Sequence, residues 1–237
     1  IFRLTTWGES HGPAIGAVID GCPAGLEISD MDIQKELDRR KPGGGQPGAT
    51  TRKEDDEVEI LSGVFEGKTT GAPISMIVWN EDRKSKDYTA LKEVYRPGHA
   101  DLAYDLKWGH RDYRGGGRSS GRETACRVMG GVIAKKLLHK KSKTEVRAYP
   151  IQIGPHVLKG NKITDEVAQY IEKIRSEGDS VGGIVEIRVT NPPVGLGEPC
   201  FDKLHAVLGQ ALLSIGTVKG FEIGSGFNVA DMRGSQN

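Results

Sequence analysis

Apolar residues recur at helical spacing in four stretches of the chain. After Ser120 they fall at Ala125, Val128, Met129, Val132, Ile133 and Leu137, and Ser120 to Glu123 spells the S-x-x-E capping box that opens a helix. Ser29 predicts a second helix, with Ile33 and Leu37 facing inward and an end at Arg40 before Lys41-Pro42-Gly43. Thr164 opens a third, carrying Val167, Ile171 and Ile174, and Asp202 a fourth, carrying Leu204, Val207, Leu208, Ala211, Leu212 and Ile215. Strand patterns cover residues 14–19, 58–61, 74–79, 145–153, 184–189 and 218–223. Strands interleaved with helices predict an α/β or α+β class.

A short echo runs through this pattern. Strand, Pro23-Ala24-Gly25-Leu26 and helix recur as strand, Pro193-Val194-Gly195-Leu196 and helix, a hint of internal pseudo-symmetry. From Asp82 to Ser119 the period is lost. That stretch holds Arg, His, Gly and Asp with few aliphatics, but Tyr88, Tyr95, Tyr104, Trp108 and Tyr113 argue against disorder, so a functional loop is expected.

Composition narrows the picture. With 237 residues, 27% charged and 36% hydrophobic, the chain can bury a core, and the disordered and membrane classes are disfavoured. No signal peptide is visible, and the opening at Ile1 leaves room for a short leader. Cys22, Cys126 and Cys200 are odd in number and far apart, which suits thiols in a reducing, cytoplasmic setting and gives no metal spacing. Net charge is only +1, yet basic residues crowd Arg96 to Arg127 (Lys107, Arg111, Arg114, Arg118, Arg122) and the knot Arg39-Arg40-Lys41. Local positive charge without a global field points to a small anionic ligand.

Three segments could carry chemistry. Arg114-Gly115-Gly116-Gly117-Arg118-Ser119-Ser120 runs into the capped helix, where converging backbone N–H groups, a helix N-terminus and two arginines make an anion cradle. A flexible loop with a cap is the plainer reading. Trp7-Gly8-Glu9-Ser10-His11-Gly12 sets a hydroxyl and an imidazole between glycines, suited to proton transfer against a closely approaching ligand. Arg96-Pro97-Gly98-His99-Ala100-Asp101 presents a second histidine on a Pro-Gly turn, which is equally an ordinary surface turn. His110 shares that loop, and His139, His156 and His205 read as surface residues. Arg39 and Arg40 could bind an anion or simply complement a helix C-terminus. Gly43-Gly44-Gly45-Gln46-Pro47-Gly48 satisfies G-x-G-x-x-G, but it follows a helix and contains proline, so it is rejected as a dinucleotide fingerprint.

Together, Thr5 to Gly12, Arg96 to Asp101 and Asp112 to Glu123 resemble three signature segments of the chorismate synthase family. Leu61 to Gly67 and Val218 to Gly224 are similar to it as well, so the likeness spans the chain in order. The resemblance implies an α+β fold, a β-α-β sandwich, in a cytoplasmic homotetramer. It implies a lyase of the shikimate pathway that uses reduced FMN for anti-1,4 elimination of phosphate from 5-enolpyruvylshikimate-3-phosphate, with NADPH as a candidate reductant. On this sequence it makes His11 the acid for the leaving phosphate, His99 a proton or hydrogen-bond partner of the flavin, and Ser10 an aid to proton movement. Arg118, Ser119 and Ser120 match the flavin-binding loop, Gly216 and Thr217 stand where further flavin contacts are expected, and Arg39, Arg40 and Arg114 suit the substrate or NADP. An arginine of the family pattern falls near Gln46 or Pro47 and is missing, with Arg52 or Lys53 as stand-ins. The whole of residues 1–237 is expected to be one such domain, short of its C-terminal third. The competing reading is an RNA-binding module that uses the Arg-Gly-Gly-Gly-Arg loop with Tyr113 for stacking.

Overall fold

In the computed structural model, which describes residues 2–41, 55–80 and 92–237, Ser29 opens helix α1 (Asp30–Arg40) as the sequence predicts. Its hydroxyl accepts from the Asp32 N–H at 3.3 Å, and the Asp32 carboxylate accepts from the Ser29 N–H at 2.9 Å, a closed capping box. Acidic residues occupy the first turn and Arg39 and Arg40 the last, matching the helix dipole. Lys41 leaves the helix in an extended conformation, as a residue before proline must.

Strands β1 (Arg3–Gly8), β2 (Ala14–Asp20), β3 (Val58–Ile60) and β6 (Ile74–Trp79) form an antiparallel sheet in the order β1-β2-β6-β3. Between β3 and β6, β4 (Val64–Phe65) and β5 (Lys68–Thr69) make a small hairpin whose turn residues Glu66 and Gly67 have φ of 48° and 73°. One sheet face is apolar: Ile15, Ala17 and Ile19 of β2 with Ile74, Met76 and Val78 of β6. Against it lie Ile33 and Leu37 of α1 and Ala125, Cys126, Met129 and Ile133 of α3 (Thr124–Ser142), giving one continuous core. Helix α3 comes close to β1 at Gly130, where an added Cβ would stand 2.9 Å from Leu4. Trp7 pairs with Gly16 on the opposite face, and its ring occupies the space a side chain at Gly16 would need.

Helix α2 (Asp101–Trp108) precedes α3, and a second sheet follows it: β7 (Glu145–Ile153), β8 (His156–Val157) and β9 (Gly183–Thr190), in the order β8-β7-β9. Helix α4 (Asp165–Ser176) lies between β8 and β9 in the chain and is capped by Thr164. This is an α+β arrangement. The chain separates into two compact units, Ile1–Pro192 and Pro193–Asn237. The second holds α5 (Leu204–Leu213) and several 3-10 turns, with the Phe221 ring 3.2 Å from where a Cβ on Gly209 would stand. Among the described residues, no helix is long and apolar enough to cross a membrane.

Several expectations need correction. Glu123 does not close a capping box: Ser120 caps a 3-10 turn, Gly121–Glu123, by accepting from the Arg122 N–H, while the Glu123 carboxylate bonds Thr6 and Arg127. Tertiary partners outcompete the local cap. Asp202 sits in a 3-10 turn and does not cap α5. Residues 218–223 form no strand, since a strand needs a ladder partner and none pairs with them among the described residues. Strand β1 and helix α2 went unforeseen, one inside the Thr5 to Gly12 motif and the other inside the aperiodic stretch. The Gly43 to Gly48 run, Arg52, Lys53 and Tyr88 lie outside the described residues.

The echo has a backbone counterpart. Gly21 and Gly25 after β2 have φ of 77° and 79°, and Asn191 and Gly195 after β9 repeat this with 51° and 84°.

Candidate functional site

The β1–β2 connection is a tight turn in which the Gly12 N–H donates to the Glu9 carbonyl at 3.1 Å. It places Ser10 and His11, only 2% and 6% exposed, beneath the glycine loop that leads to α3. Ser10 Oγ donates to the Gly115 carbonyl at 3.2 Å. The Gly115 backbone comes so close to the imidazole that an added Cβ would lie 2.1 Å from His11 Cδ2 and 2.4 Å from Nε2. Gly115, Gly116 and Gly117 all have positive φ (60°, 88° and 54°), a path that only glycine follows without strain.

Arg118 straps this loop to β1, donating from Nη1 to the Gly8 carbonyl at 2.5 Å and from Nη2 to Thr6 Oγ1 at 2.6 Å. Ser119 donates to the Tyr104 hydroxyl at 3.2 Å, and Ser120 caps the following 3-10 turn. Within the loop, the N–H groups of Gly117 and Ser119 donate to the carbonyls of Arg114 and Gly116. Part of the expected N–H cradle is therefore spent on the loop's own turns.

Arg114 forks onto Asp112 at 2.8 and 2.9 Å. Burial works to raise the Asp112 carboxyl, but hydrogen bonds from the Arg114 side chain and backbone outweigh it and hold the group below the usual carboxylate range. The His11 charge acts in the same direction. The hydrogen bond to Asp112 raises Arg114 in return, so the guanidinium stays charged.

Arg40, at the end of α1, reaches the start of α3: it donates to Asp56 at 2.9 Å, to Thr124 Oγ1 at 3.2 Å and to the Gly121 carbonyl at 3.3 Å. Asp56 is buried and also accepts from Arg122 at 2.6 Å. Arg122 donates through Nε to the Asn80 side-chain oxygen, and the Asn80 amide donates to the Glu9 and Gly12 carbonyls, each at 2.9 Å. Asp56 and Asn80 were not foreseen, and Arg122 counted only as local charge. Nothing in a sequence ties an aspartate and an asparagine 24 residues apart to a turn near the N-terminus.

The other candidates belong to other elements. Arg96-Pro97-Gly98-His99 is a turn with the His99 N–H on the Arg96 carbonyl and Gly98 at φ 75°, which leaves His99 exposed with Nδ1 3.2 Å from the Pro97 carbonyl. Arg96 forks onto Asp101, which also meets Arg111 at 3.5 Å. A small cleft of about 60 Å³ opens between Glu9, Asp101, Tyr104, Asp112 and Arg118. Arg39 is exposed and pairs with Glu36, away from this cluster. Gly216 and Thr217 form a turn after α5 in the second unit, with Thr217 at φ 72°. The structure thus brings together Ser10, His11, Arg114, Arg118, Ser119, Ser120 and Arg40, but not Arg39.

Comparison with known proteins bears on the family and the fold. The sequence model of the chorismate synthase family matches residues 2–237. A chorismate synthase of Christiangramia forsetii is 53% identical over 253 aligned positions, covering all of this chain and 71% of the relative. One from Chloroflexus aggregans is 52% identical, covering all of this chain and 69% of the relative. A crystal structure of chorismate synthase superposes with a TM-score of 0.79 at 31% identity, over 99% of this chain and 72% of that one. Neither the described geometry nor any of these relatives supports the nucleic-acid reading. The chain belongs to the chorismate synthase family of lyases.

Proposed function

We propose that the cluster around His11 carries the family's reaction, in which 5-enolpyruvylshikimate-3-phosphate loses phosphate by anti-1,4 elimination to give chorismate. The observation that carries this reading is the packing of the buried Ser10–His11 turn against the Gly115 backbone, in a glycine run flanked by Arg114 and Arg118, with Arg40 reaching the following segment at Gly121 and Thr124. The substrate has one phosphate and two carboxylates, and guanidinium forks match such groups in charge and shape.

In the elimination the allylic C–O bond to phosphate breaks, and the departing oxygen gains charge as it leaves. A proton held on His11, whose Nε2 edge faces Gly115, neutralises that charge. Ser10, bonded to the Gly115 carbonyl, supplies a hydroxyl beside the imidazole through which a proton can pass. Arg114 keeps its charge through Asp112 and is 40% exposed, so it has capacity for an anionic group. His99, exposed on its turn, is the second proton-carrying group of this reading.

The donors present suit a flavin mononucleotide. Gly116 and Gly117, where an added Cβ would meet nothing closer than 3.5 Å, leave a side-chain-free surface, and Arg118, Ser119 and Ser120 offer a guanidinium and two hydroxyls for a phosphate or a ring carbonyl. Bound in reduced form, that cofactor would supply the electron density that eases loss of phosphate. Gly216 and Thr217 are the further contacts proposed for it, and Arg39 with Arg40 the further anion partners. Both compact units are read as one catalytic domain because the family match runs through them without a break. The three free cysteines suit a cytoplasmic protein, and a homotetramer is the assembly this reading carries.

The test is phosphate release from 5-enolpyruvylshikimate-3-phosphate by the protein with reduced FMN under anaerobic conditions. Substituting His11→Ala and His99→Ala separately should each lower turnover about 100-fold or more. Unchanged turnover in both would remove the roles assigned to them.

A further inference from the structure

We infer that Asn80 is a positioning residue for the Ser10–His11 turn, an inference that rests on the role assigned above to His11. Asn80 follows the last residue of β6, and that residue, Trp79, pairs with Ala14 at the start of β2. It therefore sits where the sheet meets the turn, and its backbone N–H donates to the Pro13 carbonyl at 3.0 Å. The residue is 1% exposed.

The two N–H bonds of a carboxamide match the two carbonyls that flank Ser10 and His11, those of Glu9 and Gly12, each at 2.9 Å. The orientation of the amide is not arbitrary. Arg122 can only donate, so the Asn80 oxygen must face it and the NH₂ must face the turn. Arg122 in turn is seated on Asp56, at 2.6 Å and with no side-chain exposure on the carboxylate, and Asp56 also receives Arg40. The line from Asp56 through Arg122 and Asn80 ends on the backbone that aims the imidazole at Gly115. A buried pair of this kind contributes little net stability compared with an apolar replacement, but it fixes one geometry.

The test uses the holoenzyme with reduced FMN and four proteins: wild type, Asn80→Asp, His11→Ala and the double variant. Asn80→Asp keeps the acceptor for Arg122 and sets a carboxylate oxygen against the two turn carbonyls. The expected result is a fall in kcat of about 10- to 100-fold, with KM within about threefold of wild type. In the His11→Ala background the same change should lower kcat by no more than about twofold, because its effect runs through the imidazole. If Asn80→Asp yields no folded protein, Asn80→Ala, which removes the donors without adding charge, is read in the same way. Equal fractional losses in both backgrounds would overturn the inference, as would wild-type kcat in folded protein whose melting temperature alone has dropped. Full turnover by His11→Ala would overturn the functional reading and the inference together. Reduced turnover there, with normal kcat at Asn80→Asp, would overturn the inference alone.

Discussion

Replacing Gly115 by alanine isolates the contact on which the site is built. An alanine there must adopt φ near 60°, a left-handed conformation that costs an L-residue about 1–2 kcal/mol. Its Cβ would stand 2.1 Å from His11 Cδ2, 2.4 Å from Nε2 and 2.9 Å from Ser10 Oγ, whereas ordinary contact begins near 3.4 Å, so the ring or the loop must give by about 1.3 Å. A misplacement on the order of 1 Å can cost about 100-fold in rate, equivalent to about 2.7 kcal/mol of barrier. Gly67→Ala is the matched control. Gly67 has φ 73° and lies in the β4–β5 turn, where an added Cβ would meet nothing within 4 Å, so it incurs the backbone cost without the collision. In urea denaturation Gly67→Ala should lose the backbone cost alone and Gly115→Ala that cost plus about 1–3 kcal/mol for the collision, while only Gly115→Ala should lose turnover in the anaerobic phosphate-release assay. If turnover of Gly115→Ala stays within about threefold of wild type, or falls no further than that of Gly67→Ala, the imidazole is not held where proton transfer requires it.

Two further outcomes concern the scaffold. Hydrogen bonds from Arg96 hold the Asp101 carboxyl down to about 2, against an ordinary 3.8, so its contribution to stability is present above about pH 4 and is lost as pH falls towards 2. Asp101→Asn should flatten the acid limb of a melting-temperature profile between those values, and an unchanged slope would contradict the assignment. Burial pushes the Cys126 thiol up to about 11 and raises Cys22 as well, whereas Cys200 is exposed. Of the three cysteines, one should react rapidly with a thiol-specific disulfide reagent at pH 8 in the native protein, and Cys200→Ser should abolish that phase. Rapid labelling of all three without denaturant would refute it.

The elements legible in the sequence were those whose signal is local. Ser29 and Thr164 cap the helices they were expected to cap, and strands 74–79 and 145–153 fall where the alternation placed them. Glu123 shows the limit of local reasoning. The S-x-x-E spacing is present, yet Thr6 and Arg127 offer the carboxylate better partners, and Thr6 is 117 residues away. Strand β1 was hidden because its residues Arg3 to Gly8 alternate weakly and run into a motif that looked like chemistry. The site divides in the same way. Ser10, His11 and the glycine loop announced themselves by residue type, whereas Asp56, Arg122 and Asn80 matter through partners that only the fold supplies.

The arginines sharpen the point, because the sequence reading pooled the run from Arg96 to Arg127 as local positive charge for a ligand. In the fold most are already engaged. Arg122 and Arg111 are 4% and 6% exposed and meet Asp56 and Asp101, so their main effect is to hold backbone in place. Arg96 is 16% exposed and forks onto Asp101, which anchors the turn that presents His99. Arg40 and Arg114, at 20% and 40%, also have carboxylate partners but retain open surface. A guanidinium carries five N–H donors, and a forked carboxylate takes two, so an arginine can be held by the protein and still bind an anion. Arrangement in advance is what makes such a group effective, since a guanidinium already fixed loses less freedom on meeting a phosphate than a mobile one does. The matched carboxylates explain why a site dense in arginine belongs to a chain of net charge +1, with attraction confined to a few open faces.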